Sequence, residues 1–154
     1  MIFLVEDAPH KSLLCSLGIS RKCILVMGAK GNVIKKLKDR PGDVGIVDED
    51  PDSVQTQSHE LANYQEIERG EGLQLRARRG SRGQHLIVLC PKVEDWLIDR
   101  AEMCGIDPKQ YHLPDTAKEL KDLLHYEEKE WFHRFVAELG GRDISLLRRW
   151  VLQA

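Results

Sequence analysis

The sequence predicts an α/β fold in which helices flank a mainly parallel central sheet and a helical segment forms the C-terminal third. Three short apolar runs, at 2–5, 23–27 and 44–47, alternate with helical patterns along the first third of the chain. Runs that are apolar and β-branched almost throughout are typical of strands covered on both faces, as in parallel sheets. The short connections between them favour right-handed crossovers and therefore a β-α-β-α-β arrangement.

Each element of this first part has a local signal. Pro9 suits the first turn of a helix over 9–17, and Gly18 ends it. Apolar residues at helical spacing predict a second helix over 31–37. A Pro-Gly pair after that helix predicts a turn, which leads into the third strand.

Downstream of these strands the pattern changes. The polar segment 53–64 fits either a surface loop or a short helix. Alternating apolar residues over 73–78 and the apolar run 85–90 lie on either side of a Gly-rich turn. This combination predicts two hairpin strands.

Beyond the hairpin the apolar periodicity is helical. Gly105 and the Gly140-Gly141 pair predict helix ends. We expect a single domain over 1–154, with an α/β core that includes the hairpin strands at 1–92 and a helical part at 93–154, because no linker separates the two. The expected helices span 93–104, 116–125, 128–139 and 144–152.

Composition limits the possible partners and locations. The chain has 154 residues, of which 42% are hydrophobic and 31% charged, as in an ordinary globular domain. Its formal net charge of −2 creates no global field that attracts nucleic acid or membrane, so such a partner has to meet a local patch. No apolar run approaches the roughly 20 residues of a membrane span, and no secretory signal pattern opens the chain. We expect no membrane partner and a cytoplasmic location.

Acidic residues directly follow two of the predicted strands. Glu6 and Asp7 come after the first strand, and Asp48 and Asp50 come at the end of the third. Ligands bind at the carboxyl edge of open α/β sheets, where clustered carboxylates repel one another unless a cation lies among them. Asp48 and Asp50 point to one side of an extended chain, and Glu6 joins them if the two strands are neighbours. An all-oxygen ligand set suits Mg²⁺ or Mn²⁺, which would polarise a phosphate.

These acidic residues and their strand context resemble the TOPRIM domain, the metal-binding module of type IA and II topoisomerases, bacterial primases and OLD-type nucleases. The resemblance rests on a strand ending in Val5-Glu6, a β-α-β-α step and a strand ending in Asp48-Glu49-Asp50, and it covers roughly residues 1 to 53. Many members have a glycine where this chain has Asp7.

The resemblance implies a TOPRIM-like Rossmannoid fold and a nuclease-like protein that acts on phosphodiester bonds of nucleic acid. It also implies that Glu6, Asp48 and Asp50 bind magnesium and that Glu6 serves as a general acid or base. A catalytic protein and a non-catalytic TOPRIM-like binding or regulatory subunit both remain open at this point.

Two further residues are candidates for the same site. Glu94 opens the helix after the last predicted strand, in a Pro-x-x-Glu-x-Trp pattern similar to that of small bacterial TOPRIM-like proteins, and it is a candidate metal ligand. The alternative is that its carboxylate only stabilises the positive end of that helix. Lys30 follows the second strand in a loop of small residues, which makes it a candidate catalytic contact to phosphate. A solvated surface charge is the alternative for Lys30.

Arginines and glycines near the predicted hairpin turn form a local basic patch. Such a patch can contact the phosphates of nucleic acid without reading its sequence, and a charged, solvated hairpin end explains it equally well. The six histidines show neither HxxxH nor HExxH spacing, so none is assigned to a metal site. The arginines of the patch are Arg76, Arg78, Arg79 and Arg82.

A receiver domain of two-component signalling is the main alternative from another class. In that interpretation Glu6 and Asp7 correspond to its acidic pair, Asp48 to its phosphoacceptor and Lys92 to its late lysine. The proline before Lys92 reverses the order found in receivers, and Asp50 has no role in the scheme.

Overall fold

The computed structural model describes residues 1–51, 59–80 and 83–152, and within these ranges the chain forms a six-stranded sheet with helices packed on it. The strands are β1 (Phe3–Val5), β2 (Ile24–Val26), β3 (Val44–Asp48), β4 (Tyr64–Gly70), β5 (Leu73–Arg78) and β6 (His85–Leu89). The helices are α1 (Ala8–Ser16), α2 (Lys30–Leu37), α3 (Val93–Cys104), α4 (Ala117–Asp122), α5 (Glu130–Arg142) and α6 (Ser145–Leu152).

The sheet is mixed, with the strand order β2-β1-β3-β6-β5-β4. β1 lies parallel to both β2 and β3, and β3 lies parallel to β6. β5 runs antiparallel to β6 on one side and to β4 on the other. The α/β class is therefore confirmed, whereas the expectation of a mainly parallel sheet is wrong. β4, β5 and β6 follow one another along the chain and pair antiparallel, so half of the sheet is built from consecutive antiparallel strands.

β4 is a strand that the sequence pattern does not predict. It is an edge strand, and of its residues Tyr64 alone is buried. A strand exposed on an edge carries few apolar residues, so the alternation that marks a half-buried strand is absent. Residues 53–58 of the preceding 53–64 segment lie outside the described residues, and Leu61–Asn63 forms a short 3-10 turn.

Side chains of β1, β3 and β6 alternate between two hydrophobic cores, whereas Leu25 and Val26 of the edge strand β2 are exposed. The larger core lies between one face of the sheet and α1, α3, α5 and α6, with Trp96, Phe132 and Phe135 fully buried in it. The smaller core lies under α2, on the opposite face. Both faces of β1 and β3 are therefore covered, as continuous apolar runs predict.

The observed helices differ from the predicted ones mainly at two C-terminal ends. The expected helix 116–125 is too long, because α4 ends at Asp122. α5 continues through Gly140 and Gly141 to Arg142, so the expectation that this glycine pair ends the helix is wrong. A glycine costs about 1 kcal/mol inside a helix, and the burial of Leu139 in the larger core outweighs that cost. No helix within the described ranges combines the length and the apolar character needed to cross a membrane.

Gly45 in β3 gives a test of how α2 packs on the sheet. A Cβ at this position would lie 2.9 Å from Val33 Cγ1 and from Leu86 Cδ1, and both of these side chains are fully buried. We expect Gly45→Ala to lower the free energy of unfolding by about 1–3 kcal/mol through overpacking. Denaturant unfolding followed by circular dichroism measures this change.

Gly141→Ala is the matched control, because a Cβ there meets nothing within 4 Å. It should be neutral or stabilise the protein by up to about 1 kcal/mol. Equal midpoints for Gly45→Ala and the wild type would show that α2 does not pack tightly against β3.

Candidate metal centre

The ends of β1 and β3 bring two acidic residues together. The strands are parallel neighbours in register, with Val5 opposite Ile46, so they end at the same edge of the sheet. Glu6 directly follows β1, and Asp48 is the last residue of β3. The backbone N–H of Glu6 donates to Ile46 O at 3.2 Å, and the N–H of Asp48 donates to Glu6 Oε2 at 2.9 Å. The adjacency required for Glu6 to join Asp48 is therefore present.

A histidine that the sequence analysis leaves unassigned completes this arrangement. His10 lies in the first turn of α1, which starts two residues after Glu6, and its side chain is 1% exposed. Its Nε2 lies 2.8 Å from Asp48 Oδ1. Its Nδ1 is buried and has no hydrogen-bond partner among the described residues.

Glu6, His10 and Asp48 offer a compact set of possible metal ligands. One ligand atom from each side chain lies within 4.8 Å of the others. Carboxylate oxygens together with an imidazole nitrogen form a donor set that divalent ions accept. The chemistry of the residues present is therefore compatible with a bound divalent cation.

The carboxylates of Glu6 and Asp48 place negative charge close together in a partly buried part of the protein. Burial raises the pKa of Glu6, and the charge of Asp48 raises it further, which together outweigh the hydrogen bond from the Asp48 N–H. Burial alone would lower the pKa of His10, but its contact with Asp48 and the charges of Glu6 and Asp7 raise the pKa overall. The site therefore favours a bound proton, for which a metal ion would compete.

Lys30 lies beside this group. It is the first residue of α2, and its Nζ donates to the backbone oxygen of Glu49 at 2.8 Å. Burial lowers its pKa, while the charges of Glu6, Asp50 and Asp48 act in the opposite direction. The ammonium group is thus held at the acidic edge of the sheet by α2 and the chain after β3.

The structure places Asp50 apart from the three converging side chains. β3 ends at Asp48, and Asp50 has a positive φ of 46°, so the alternation of an extended strand does not extend to it. Its N–H donates to Pro91 O at 2.9 Å, and its Oδ1 lies 3.6 Å from Lys92 Nζ. Asp50 therefore pairs with a lysine and does not join Glu6 and Asp48 in the group.

Glu94 approaches the group without joining it. It lies in the first turn of α3 and accepts a hydrogen bond of 3.1 Å from the hydroxyl of Tyr126. Burial raises its pKa, and the negative charge of Asp48 contributes in the same direction. The charge of Asp48 thus affects the pKa of Glu94, while the hydrogen bond from Tyr126 fixes the position of the Glu94 carboxylate.

The arginines of the predicted basic patch make contacts within the protein. Arg76 donates to Gln74 Oε1 from both Nε and Nη2, and Arg78 forms an ion pair of 2.6 Å with Glu60. Arg82 lies outside the described residues. Two of the four guanidinium groups therefore already have protein acceptors.

Comparisons of this chain with protein-family models, with curated proteins and with solved structures find no match. These comparisons therefore assign no family to the chain.

The raised pKa of Glu6 predicts how pH affects the stability of the metal-free protein. For a carboxyl whose pKa is higher in the folded state, the stability it contributes is fully present below its unfolded pKa near 4.5 and is lost as the pH rises through the folded value. Glutamine cannot ionise. In excess EDTA, Glu6→Gln should therefore gain stability relative to the wild type as the pH is raised from about 4.5 to about 8.

The measurement is the free energy of unfolding of both proteins in urea at several pH values. Glu130→Gln is the matched control, because Glu130 is an exposed glutamate whose contact with Arg134 lies on the protein surface. A difference between Glu6→Gln and the wild type that stays constant with pH would contradict the prediction.

Proposed function

We propose that this chain is a divalent-metal-binding protein with a TOPRIM-like site, and that it acts on phosphodiester bonds of nucleic acid with Mg²⁺ or Mn²⁺. The observation that carries the proposal is the convergence of Glu6 and Asp48 at the ends of adjacent parallel strands, within 4.8 Å of a buried imidazole. Carboxylates that repel one another in a partly buried place are stabilised by a cation.

The residues of the site have distinct roles in this proposal. Glu6 and Asp48 hold the ion, which when bound supplies a positive charge that polarises a phosphate and lowers the pKa of a water molecule. The N–H of Asp48 fixes one carboxylate oxygen of Glu6. The TOPRIM resemblance also makes Glu6 the candidate general acid or base. Asp50 and Glu94, which flank the group, are left as candidates for contacts outside the ligand set.

Lys30 supplies a positive charge beside the ion. Its ammonium group interacts electrostatically with Glu6, Asp48 and Asp50, and its hydrogen bond to Glu49 O orients it. A cation placed in advance where negative charge develops on a transferring phosphoryl group lowers the barrier, because no reorganisation is needed. Nucleic acid as the substrate follows from the TOPRIM resemblance.

The receiver interpretation is less well supported by the geometry. Asp48 would be the phosphoacceptor, but its Oδ1 is engaged by buried His10. Lys92, which would contact the phosphoryl group on Asp48, forms an ion pair with Asp50. A non-catalytic metal-binding subunit shares the same site, and activity measurements separate it from an enzyme.

Metal binding is the first expectation. Mg²⁺ or Mn²⁺ should raise the melting temperature of the wild type, because a ligand that binds only the folded state stabilises it by about 2.7 kcal/mol at 100 times its Kd. The double variant Glu6→Gln, Asp48→Asn should lose this shift. Asp50→Asn is the matched control and should keep it, since Asp50 lies outside the ligand group. A full shift in the double variant would place the metal elsewhere.

Cleavage of plasmid, single-stranded DNA and RNA in either metal tests the activity. Asp48→Asn should abolish cleavage, and Lys30→Met should slow it by about 10²–10³ while leaving the metal-induced shift intact. Lys35→Met, on the exposed side of the same helix, is the control and should cleave normally. A wild type that binds metal but cleaves none of these substrates would contradict the enzymatic part and leave a metal-binding subunit.

A further inference from the structure

His10 is the feature that sets this site apart from an all-carboxylate metal site. It lies among the proposed oxygen ligands as an imidazole that is almost completely shielded from solvent. A buried histidine on a helix that packs on a sheet usually satisfies both ring nitrogens with protein groups. Here only one nitrogen is satisfied, by Asp48.

The distances agree with shared coordination. Two neighbouring ligand atoms on an octahedral ion with bonds near 2.1 Å lie about 3 Å apart. His10 Nε2 and Asp48 Oδ1 are separated by 2.8 Å, and an oxygen of Glu6 lies within the same 4.8 Å group. The three side chains therefore need little rearrangement to surround one ion.

The other ring nitrogen of His10 faces away from Asp48. Nδ1 of His10 is buried without a hydrogen-bond partner among the described residues, a state that costs about 1–3 kcal/mol. Histidines that bind metals coordinate through one nitrogen and donate a hydrogen bond to a carboxylate or carbonyl from the other. Coordination through Nε2 would replace the hydrogen bond to Asp48 and would leave the ring proton on Nδ1.

We infer that His10 is a ligand of the ion and that the site therefore prefers a transition metal such as Mn²⁺ to Mg²⁺. Mg²⁺ keeps its water shell and favours oxygen ligands, whereas an imidazole nitrogen suits transition metals. This inference rests on the proposed function for the presence of an ion and adds the class of metal. The alternative is that His10 only orients Asp48 through their hydrogen bond.

Pulsed electron paramagnetic resonance of bound Mn²⁺ distinguishes these roles, because a directly bound imidazole gives a ¹⁴N coupling. His125→Gln serves as the background, since His125 with Glu127 and Glu128 forms a second possible ligand group on the surface. We expect one bound Mn²⁺ with a ¹⁴N coupling, which changes to a ¹⁵N coupling when the histidines carry ¹⁵N. This isotope measurement leaves His10 unaltered and does not depend on how a variant folds.

Calorimetric titration with Mn²⁺ and with Mg²⁺ measures how much more tightly the site binds Mn²⁺. The quantity compared is the Kd for Mg²⁺ divided by the Kd for Mn²⁺, with both proteins in the His125→Gln background. Adding His10→Gln should lower this ratio at least tenfold, because glutamine offers an amide oxygen in place of the imidazole. Bound Mn²⁺ without nitrogen coupling, or an unchanged ratio in His10→Gln, would overturn the inference while the proposed metal site stands. Failure of the wild type to bind either ion would overturn the proposed function as well.

Discussion

The hydrogen bond from the Asp48 N–H to the Glu6 carboxylate, together with the parallel pairing of β1 and β3 beneath it, is the constraint on which the site depends. β1 has only three residues, so the position of Glu6 is set by its pairing with β2 and β3 on either side. Both faces of β1 and β3 are buried, and Gly45 lets α2 lie close against β3. Packing of the two cores therefore fixes the acidic side chains at one edge of the sheet.

Placing carboxylates there has an electrostatic cost that the neighbouring side chains reduce. His10 contacts Asp48 from within the larger core, and Lys30 approaches from the start of α2. The pKa of Glu6 and that of His10 are both raised, so the metal-free site holds protons more firmly than these groups would in water. Binding of a divalent ion would release those protons, which links metal affinity to pH. The negative charges that repel one another at this edge of the sheet also make it suitable for binding a cation.

The sequence predicts the parts of the site that follow from strand periodicity. The apolar runs before Glu6 and Asp48 indicate buried strands, and acids at the ends of neighbouring parallel strands necessarily meet. Strand alternation does not extend to Asp50. Side chains two residues apart point to the same side only along an extended strand, and the backbone turns after Asp48. No second histidine lies at a metal-binding spacing from His10, so no metal-binding motif of the sequence includes it. Its position about one helical turn after Glu6, in a helix that begins where β1 ends, is the one sequence feature that could have indicated a place in the site. β4 and the mixed sheet escape prediction because an exposed edge strand lacks apolar alternation.

Anomalous X-ray diffraction from crystals of the wild-type protein soaked in Mn²⁺ tests the central claim most directly, since it locates the ion itself. We expect a single strong manganese peak within about 2.5 Å of carboxylate oxygens of both Glu6 and Asp48. A saturating soak that gives no peak between these two side chains, or a peak bound only by other acidic residues, would contradict the account.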